Sequence, residues 1–146
     1  MKALITGASS GIGRDMSIIL SKKGYDLILV ARRMEKLEEL KNTLSTNVQT
    51  ISLDLSKEES CFTLYEQVKE ENIDILINNA GFGIFGVFDE IDIQDELKMI
   101  DTNIKLRDIL IEKGYIVDFE YFNSGHDYLC WGETLANGLI SLIRLK

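Results

Sequence analysis

Thr6-Gly7-Ala8-Ser9-Ser10-Gly11-Ile12-Gly13 decides how this chain folds. Ahead of it, Ala3-Leu4-Ile5 is a short apolar run that reads as a buried strand. Behind it, Met16, Ile18, Ile19 and Leu20 recur at helical spacing. The octapeptide is therefore a strand-to-helix turn. Gly7 is expected to take a positive φ there. Gly11 lets a ligand approach the backbone, and Gly13 lets the helix sit close on the strand. The free N–H groups at the helix start, backed by the positive end of the helix dipole, then form a site for a diphosphate. Glycine turns are common, and the strand–turn–helix setting is what gives this one its meaning.

Working outward, the chain alternates strands and helices. Strands are expected at 2–6, 26–31, 48–53, 74–78 and 115–122. Helices are expected at 11–23, 34–45, 57–71, 91–113 and 131–145, with Phe62, Leu64, Tyr65 and Val68 as the apolar side of the third. A glycine-rich loop runs over 81–86. The apolar run Leu27 to Ala31 suits a strand covered on both faces. Such alternation implies parallel strands joined by right-handed crossovers. The fold expected is a three-layer α/β domain spanning 1–146, a doubly wound five-stranded parallel sheet of order 3-2-1-4-5. Its ligand would lie at the carboxyl ends of strands one and four.

Composition narrows the function classes. The 146 residues, 45% of them apolar, supply one core. A net charge of −8 argues against nucleic acid or an anionic membrane surface as partner. No apolar run approaches a membrane span, and the N-terminus enters a strand at once, so no leader is expected and the location expected is cytoplasmic. Cys61 and Cys130 have no motif spacing and read as free thiols. No metal site is expected.

At the end of strand two, where a site for NAD usually places an acid, stand Ala31-Arg32-Arg33. Arginines pair with a ribose 2′-phosphate, which an acid would repel. Arg32 is the first choice for that partner and Arg33 the second. The alternatives are a solvated helix start, or arginines satisfied by Glu35, Glu38 and Glu39.

The octapeptide together with Asn78-Asn79-Ala80-Gly81 resembles the short-chain dehydrogenase/reductase family over residues 1–105. The resemblance implies a Rossmann-like fold with NADP(H) as cofactor, held by Gly7, Ser9, Ser10, Gly11, Ile12, Gly13, Arg32, Arg33, Asp54, Leu55, Asn79, Ala80 and Gly81. Asp54 and Leu55 would border the adenine, although Asp54 or Ser56 could equally cap the next helix. Asn78 would brace the sheet while Asn79 to Gly81 line the cofactor. Asn103 matches the asparagine that helps hold a proton-relay water, and Ser124 falls where the catalytic serine stands. The family also needs a tyrosine proton donor and a lysine four residues on. The one Tyr-x-x-x-Lys in the chain, Tyr65 to Lys69, lies before strand four on the wrong helix.

From Leu106 the text changes. Ser124-Gly-His-Asp127 and Trp131-Gly-Glu-Thr-Leu-Ala136 are similar to the end of α/β hydrolases of the ferric-enterobactin esterase type, with His126 as the histidine. Gly7-Ala-Ser9-Ser-Gly11 satisfies Gly-x-Ser-x-Gly, yet two strand spacings, roughly 9–10 Å, would part Ser9 from His126. The chain therefore reads as an engineered chimera joined near Lys105–Leu106, 106–146 adding a strand and a helix, without efficient catalysis; a gene fragment and a divergent natural protein are the alternative origins. An NADPH-dependent oxidoreductase with an altered proton donor, a ligand-free structural protein and a weak esterase are the alternatives. Its expected partner is a dinucleotide; the oligomeric state stays open.

Overall fold

The computed structural model describes residues 1–81, 92–94, 97, 108–109 and 111–112. The chain divides into two units, Met1–Ile109 and Leu110–Lys146. In the second, Ile111 and Glu112 are helical and exposed. All that follows concerns the first.

Its elements alternate as β1 (Lys2–Thr6), α1 (Gly11–Lys22), β2 (Asp26–Ala31), α2 (Met34–Lys41), β3 (Val48–Ser52), α3 (Glu58–Val68) and β4 (Ile75–Ile77). The four strands form one parallel sheet of order β3-β2-β1-β4. This is the expected Rossmann-like arrangement as far as the described residues reach. The fifth strand expected at 115–122 and the helix at 131–145 lie outside them. Of the helix expected at 91–113, Ile93, Gln94, Leu97, Asp108 and Ile109 are helical in this unit.

Leu27, Ile28, Leu29 and Val30 of β2 are all no more than 1% exposed. A strand with both faces covered needs apolar side chains at consecutive positions, and β2 has them. Ala3, Ile5, Leu27, Leu29 and Ala31 share one face with Leu37 and Leu40 of α2. Leu4, Ile28, Val30 and Ile51 fall on the other and are equally buried.

The helices differ from expectation in three ways. The buried residues of α1 are Gly13, Ser17 and Ser21, not the apolar series, and Ile19 is exposed. Spaced four apart, these small residues make a flat stripe that brings the helix close to the sheet. Ile18 and Leu20 only flank that core. Ser17 Oγ donates to the Gly13 carbonyl at 2.7 Å. Second, α2 stops at Lys41, short of residue 45. Thr43 N and Leu44 N bond three residues back, to Leu40 and Lys41, and Thr43 Oγ1 also takes the Leu40 carbonyl at 2.7 Å. These bonds tighten and end the last turn. Third, α3 buries Cys61, Leu64 and Val68, whereas Phe62 is 41% exposed. Positions 61, 64 and 68 share one helical stripe, from which Phe62 is turned away. Cys61 is buried, its thiol donating to the Leu55 carbonyl at 3.6 Å, and Cys130 lies outside the described residues.

Candidate nucleotide site

In a parallel sheet all carboxyl ends lie along one edge, and the chain reverses its direction of progress between β1 and β4. That reversal opens a crevice above β1 and β4. The expected cofactor-binding residues all follow strand ends on this edge: Gly7 to Gly13 after β1, Arg32 and Arg33 after β2, Asp54 and Leu55 after β3, Asn79 to Gly81 after β4. Asn103, Ser124 and His126 lie outside the described residues.

The turn after β1 is fixed by contact with the turn after β4. Gly7 has φ +66°, the left-handed region that favours glycine. A methyl group on Gly13 would stand 2.5 Å from Asn79 Nδ2 and 2.6 Å from the Gly7 carbonyl oxygen. Gly13 therefore permits a three-way junction of helix, turn and Asn79. The bond donor at this junction is the Asn79 carboxamide, whose Nδ2 donates to the Thr6 carbonyl at 3.1 Å and the Gly7 carbonyl at 3.5 Å.

Thr6, fully buried, has a part that sequence reasoning missed. Its hydroxyl accepts from Asn79 N at 3.0 Å and Ala80 N at 2.8 Å, and it donates to Asn78 Oδ1 at 3.1 Å. One donor and two acceptor positions are thus all used. A threonine closing a strand ahead of a glycine turn could have signalled this, because its hydroxyl can bond only to what lies beside the strand end.

Above this joint the start of α1 is open. Ser10 is the N-cap without a side-chain cap bond, and the first turn has no acid. The first N–H groups of a helix have no intrahelical partner, so they face the crevice beside the exposed Ile12. By contrast, α2 and α3 carry Glu35 and Glu58–Glu59 in their first turns.

The arginines sit on the rim. Arg33 Nη2 donates to Ser9 Oγ at 3.3 Å and to Ser10 Oγ at 3.4 Å. It thereby ties the end of β2 to the turn after β1. Arg32 is exposed. The nearby acids do not satisfy them: Glu39 pairs with Lys36 at 2.7 Å, and Glu38 bonds Thr50 Oγ1 at 2.5 Å and pairs with Lys41 at 3.7 Å. Among the described residues neither arginine forms an ion pair.

Asp54 does not cap α3, and neither does Ser56. The N-cap is Lys57, again without a side-chain cap bond. Asp54 Oδ1 instead accepts from Ser56 N at 3.2 Å and Ser56 Oγ at 2.8 Å, a turn one residue ahead of the helix. Partial burial acts to raise the Asp54 carboxyl. The Ser56 bonds, with the charges of Arg32 and Lys57, outweigh burial and hold it below its ordinary value. Leu55 is buried behind it. Lys69, of the stray Tyr65–Lys69 pair, is raised by its hydrogen bond and ion pair with Glu66.

Among the described residues no group of three or more His, Cys, Asp or Glu could hold a metal ion. Nor is any helix among them long and apolar enough to cross a membrane.

A parallel sheet with a glycine turn at its switch point is the doubly wound α/β class. Residues 1–106 match the short chain dehydrogenase family, and the chain belongs to it. It is 36% identical over 109 residues to an uncharacterized oxidoreductase of Staphylococcus saprophyticus, covering 70% of this chain and 47% of that protein. It is 34% identical over 106 residues to a probable NADP-dependent dehydrogenase of Haemophilus influenzae, covering 70% and 42%. A metagenomic short-chain oxidoreductase solved in complex with NADP superposes with a TM-score of 0.71 at 28% identity, over 77% of this chain and 53% of that one. The chain spans about half the length of the relatives it matches.

Proposed function

We propose that residues 1–105 form an NADP(H)-binding part of short-chain oxidoreductase type. The observation that carries this is the pair Arg32 and Arg33 at the end of β2, unpaired with acid among the described residues and tied through Arg33 to the turn after β1. A dinucleotide laid over that turn would bring its 2′-phosphate to this rim, where a guanidinium favours it. The relative and the solved structure named for NADP support the same choice. The roles proposed are the diphosphate on Gly7 to Gly13, the adenine beside Asp54 and Leu55, and the ribose against Asn79, Ala80 and Gly81. Titration of NADPH and NADH by calorimetry tests this. NADPH is expected to bind more tightly; equal affinities, or no binding, would reject it.

We also propose that the chain is a chimera joined near Lys105–Leu106 and turns over neither carbonyls nor esters efficiently. Support comes from the family match ending at residue 106 and from the division into units between Ile109 and Leu110. The Tyr65–Lys69 pair on α3, with its lysine held by Glu66, gives no positioned proton donor. On this proposal Asn103 and Ser124 are vestigial. NADPH-dependent carbonyl reduction that disappears in Asn103→Ala would show instead an active oxidoreductase with an altered donor.

A further inference from the structure

Among the described residues β3 pairs with β2 alone, which leaves its other side as an edge of the sheet. Leu27 N donates to the Asn47 carbonyl, and Leu53 N to the Ala31 carbonyl. These two bonds fix the phase of the ladder. Asn47, Gln49, Ile51 and Leu53 turn their N–H and C=O groups towards β2, so Val48, Thr50 and Ser52 turn theirs outward. Sheet edges are ordinarily guarded by charged side chains, a bulge or a covering element. Asn42 to Leu53 holds no charged residue, in a chain that is 27% charged. The register with β2 runs without a bulge from Val48 opposite Leu27 to Ser52 opposite Ala31, and Gln49 and Ser52 are exposed.

Beside this edge lies one flank of α2. Met34, Glu38 and Lys41 share a stripe by their spacing, and the bond from Thr50 Oγ1 to Glu38 at 2.5 Å sets that stripe over β3. Glu38 and Lys41 pair with each other at 3.7 Å, and Met34 is 41% exposed. A net charge of −8 holds copies of the chain apart. The β3 edge adds nothing to that repulsion, and its flank carries a balanced pair beside an apolar side chain.

We infer that β3 is a docking edge for a second copy of this chain, the two β3 strands pairing antiparallel about a two-fold axis at Thr50. In that register Thr50 faces Thr50 of the second copy, and Val48 faces Ser52 of the second copy. All three outward-turned residues then sit in hydrogen-bonded pairs, each pair exchanging two bonds. The contact uses the same patch on both copies and therefore closes at a dimer. Antiparallel pairing also sends the carboxyl edges of the two sheets in opposite directions and leaves both crevices open. The inference is independent of what those crevices bind.

Sedimentation of the full chain over about 1–500 µM, a range that brackets the weak association of a small contact, tests this together with hydrogen exchange of the β3 amides. A monomer–dimer equilibrium is expected, with the Val48, Thr50 and Ser52 amides gaining protection only as the dimer forms. Thr50→Pro removes an outward N–H and no bond to β2. Ser52→Lys puts a charge on the edge. Each should weaken dimerisation by about tenfold or more, with the far-ultraviolet circular dichroism of the parent retained. Should Thr50→Pro fail to fold, Ser52→Lys decides. A chain that stays monomeric throughout, open-ended assembly, or a dimer that Ser52→Lys leaves intact overturns the inference. Protection of the three amides in the monomer overturns it too, because the edge would then be covered by another part of the same chain.

Discussion

Gly13 and Arg33 belong to neighbouring parts of one site and are held in different ways. Gly13 is buried where helix, turn and the Asn79 carboxamide meet within van der Waals contact. Its surroundings leave no room for a single carbon. Arg33 is exposed and touches the site through two bonds of 3.3 and 3.4 Å to serine hydroxyls. One region is specified by shape, and its parts support one another. The other is specified by charge and tolerates displacement. Changes in the first should therefore disturb the fold and every ligand together, whereas changes in the second should alter only which ligand is preferred.

The sharpest way to break this contrast is Gly13→Ala. Its methyl would stand 2.5 Å from Asn79 Nδ2 and 2.6 Å from the Gly7 oxygen, so α1 must shift away from β1. Overpacking of this kind costs about 1–3 kcal/mol, occasionally more. The variant should melt several degrees lower and lose NADPH and NADH binding alike. Unchanged melting with intact NADPH binding would show that the junction yields easily. Thr6→Val probes the same joint without adding bulk. It keeps the shape and strands the Asn79 and Ala80 N–H groups, at about 1–3 kcal/mol for each group left unsatisfied and unhydrated. The expected outcome is a lower denaturation midpoint with an unchanged slope.

Arg33→Ala examines the other region. An exposed substitution of this kind should move stability by no more than about 0.5 kcal/mol, while NADPH affinity falls tenfold or more and NADH affinity stays as it was. Arg32→Ala should act in the same direction. If Arg33→Ala weakens both dinucleotides equally, the arginine serves the diphosphate instead. The smallest effect concerns Asp54. Its folded-state pKa lies below the ordinary value of an aspartate, so its stabilisation is fully present above that ordinary value and is lost as pH falls through the lowered one. Asp54→Asn should therefore flatten the acid limb of the stability profile below about pH 4 and leave the neutral region almost unchanged.

The shape-specified region was the easier to see in the sequence. Glycines at 7, 11 and 13 behind Ala3-Leu4-Ile5 announce a turn whatever surrounds them, and consecutive apolar residues from Leu27 announce a doubly covered strand. Hydrophobic periodicity placed α1 but not its buried face, because a helix lying this close to a sheet buries what is small, and Gly13, Ser17 and Ser21 carry no apolar signal. In α3 a cysteine went inside and a phenylalanine outside, which size and hydropathy alone do not predict. The use of the Asn79 amide by Thr6 and Gly7 was equally hidden. It depends on two segments far apart in the chain, and no local pattern reports which strand end will lie beside which.

That separation has a kinetic consequence. The bonds between Thr6 and Asn79 span 73 residues, so the turn acquires its final shape only after β4 has docked beside β1. Contacts across so long a loop form after the chain entropy of closing it has been overcome. A nucleotide bound as proposed would thus recognise only a chain that has nearly completed this unit. Its expected signature is slower unfolding with little change in the refolding rate, as for interactions absent from the transition state. Bound ligand would act as a latch on the finished sheet, with no part in building it.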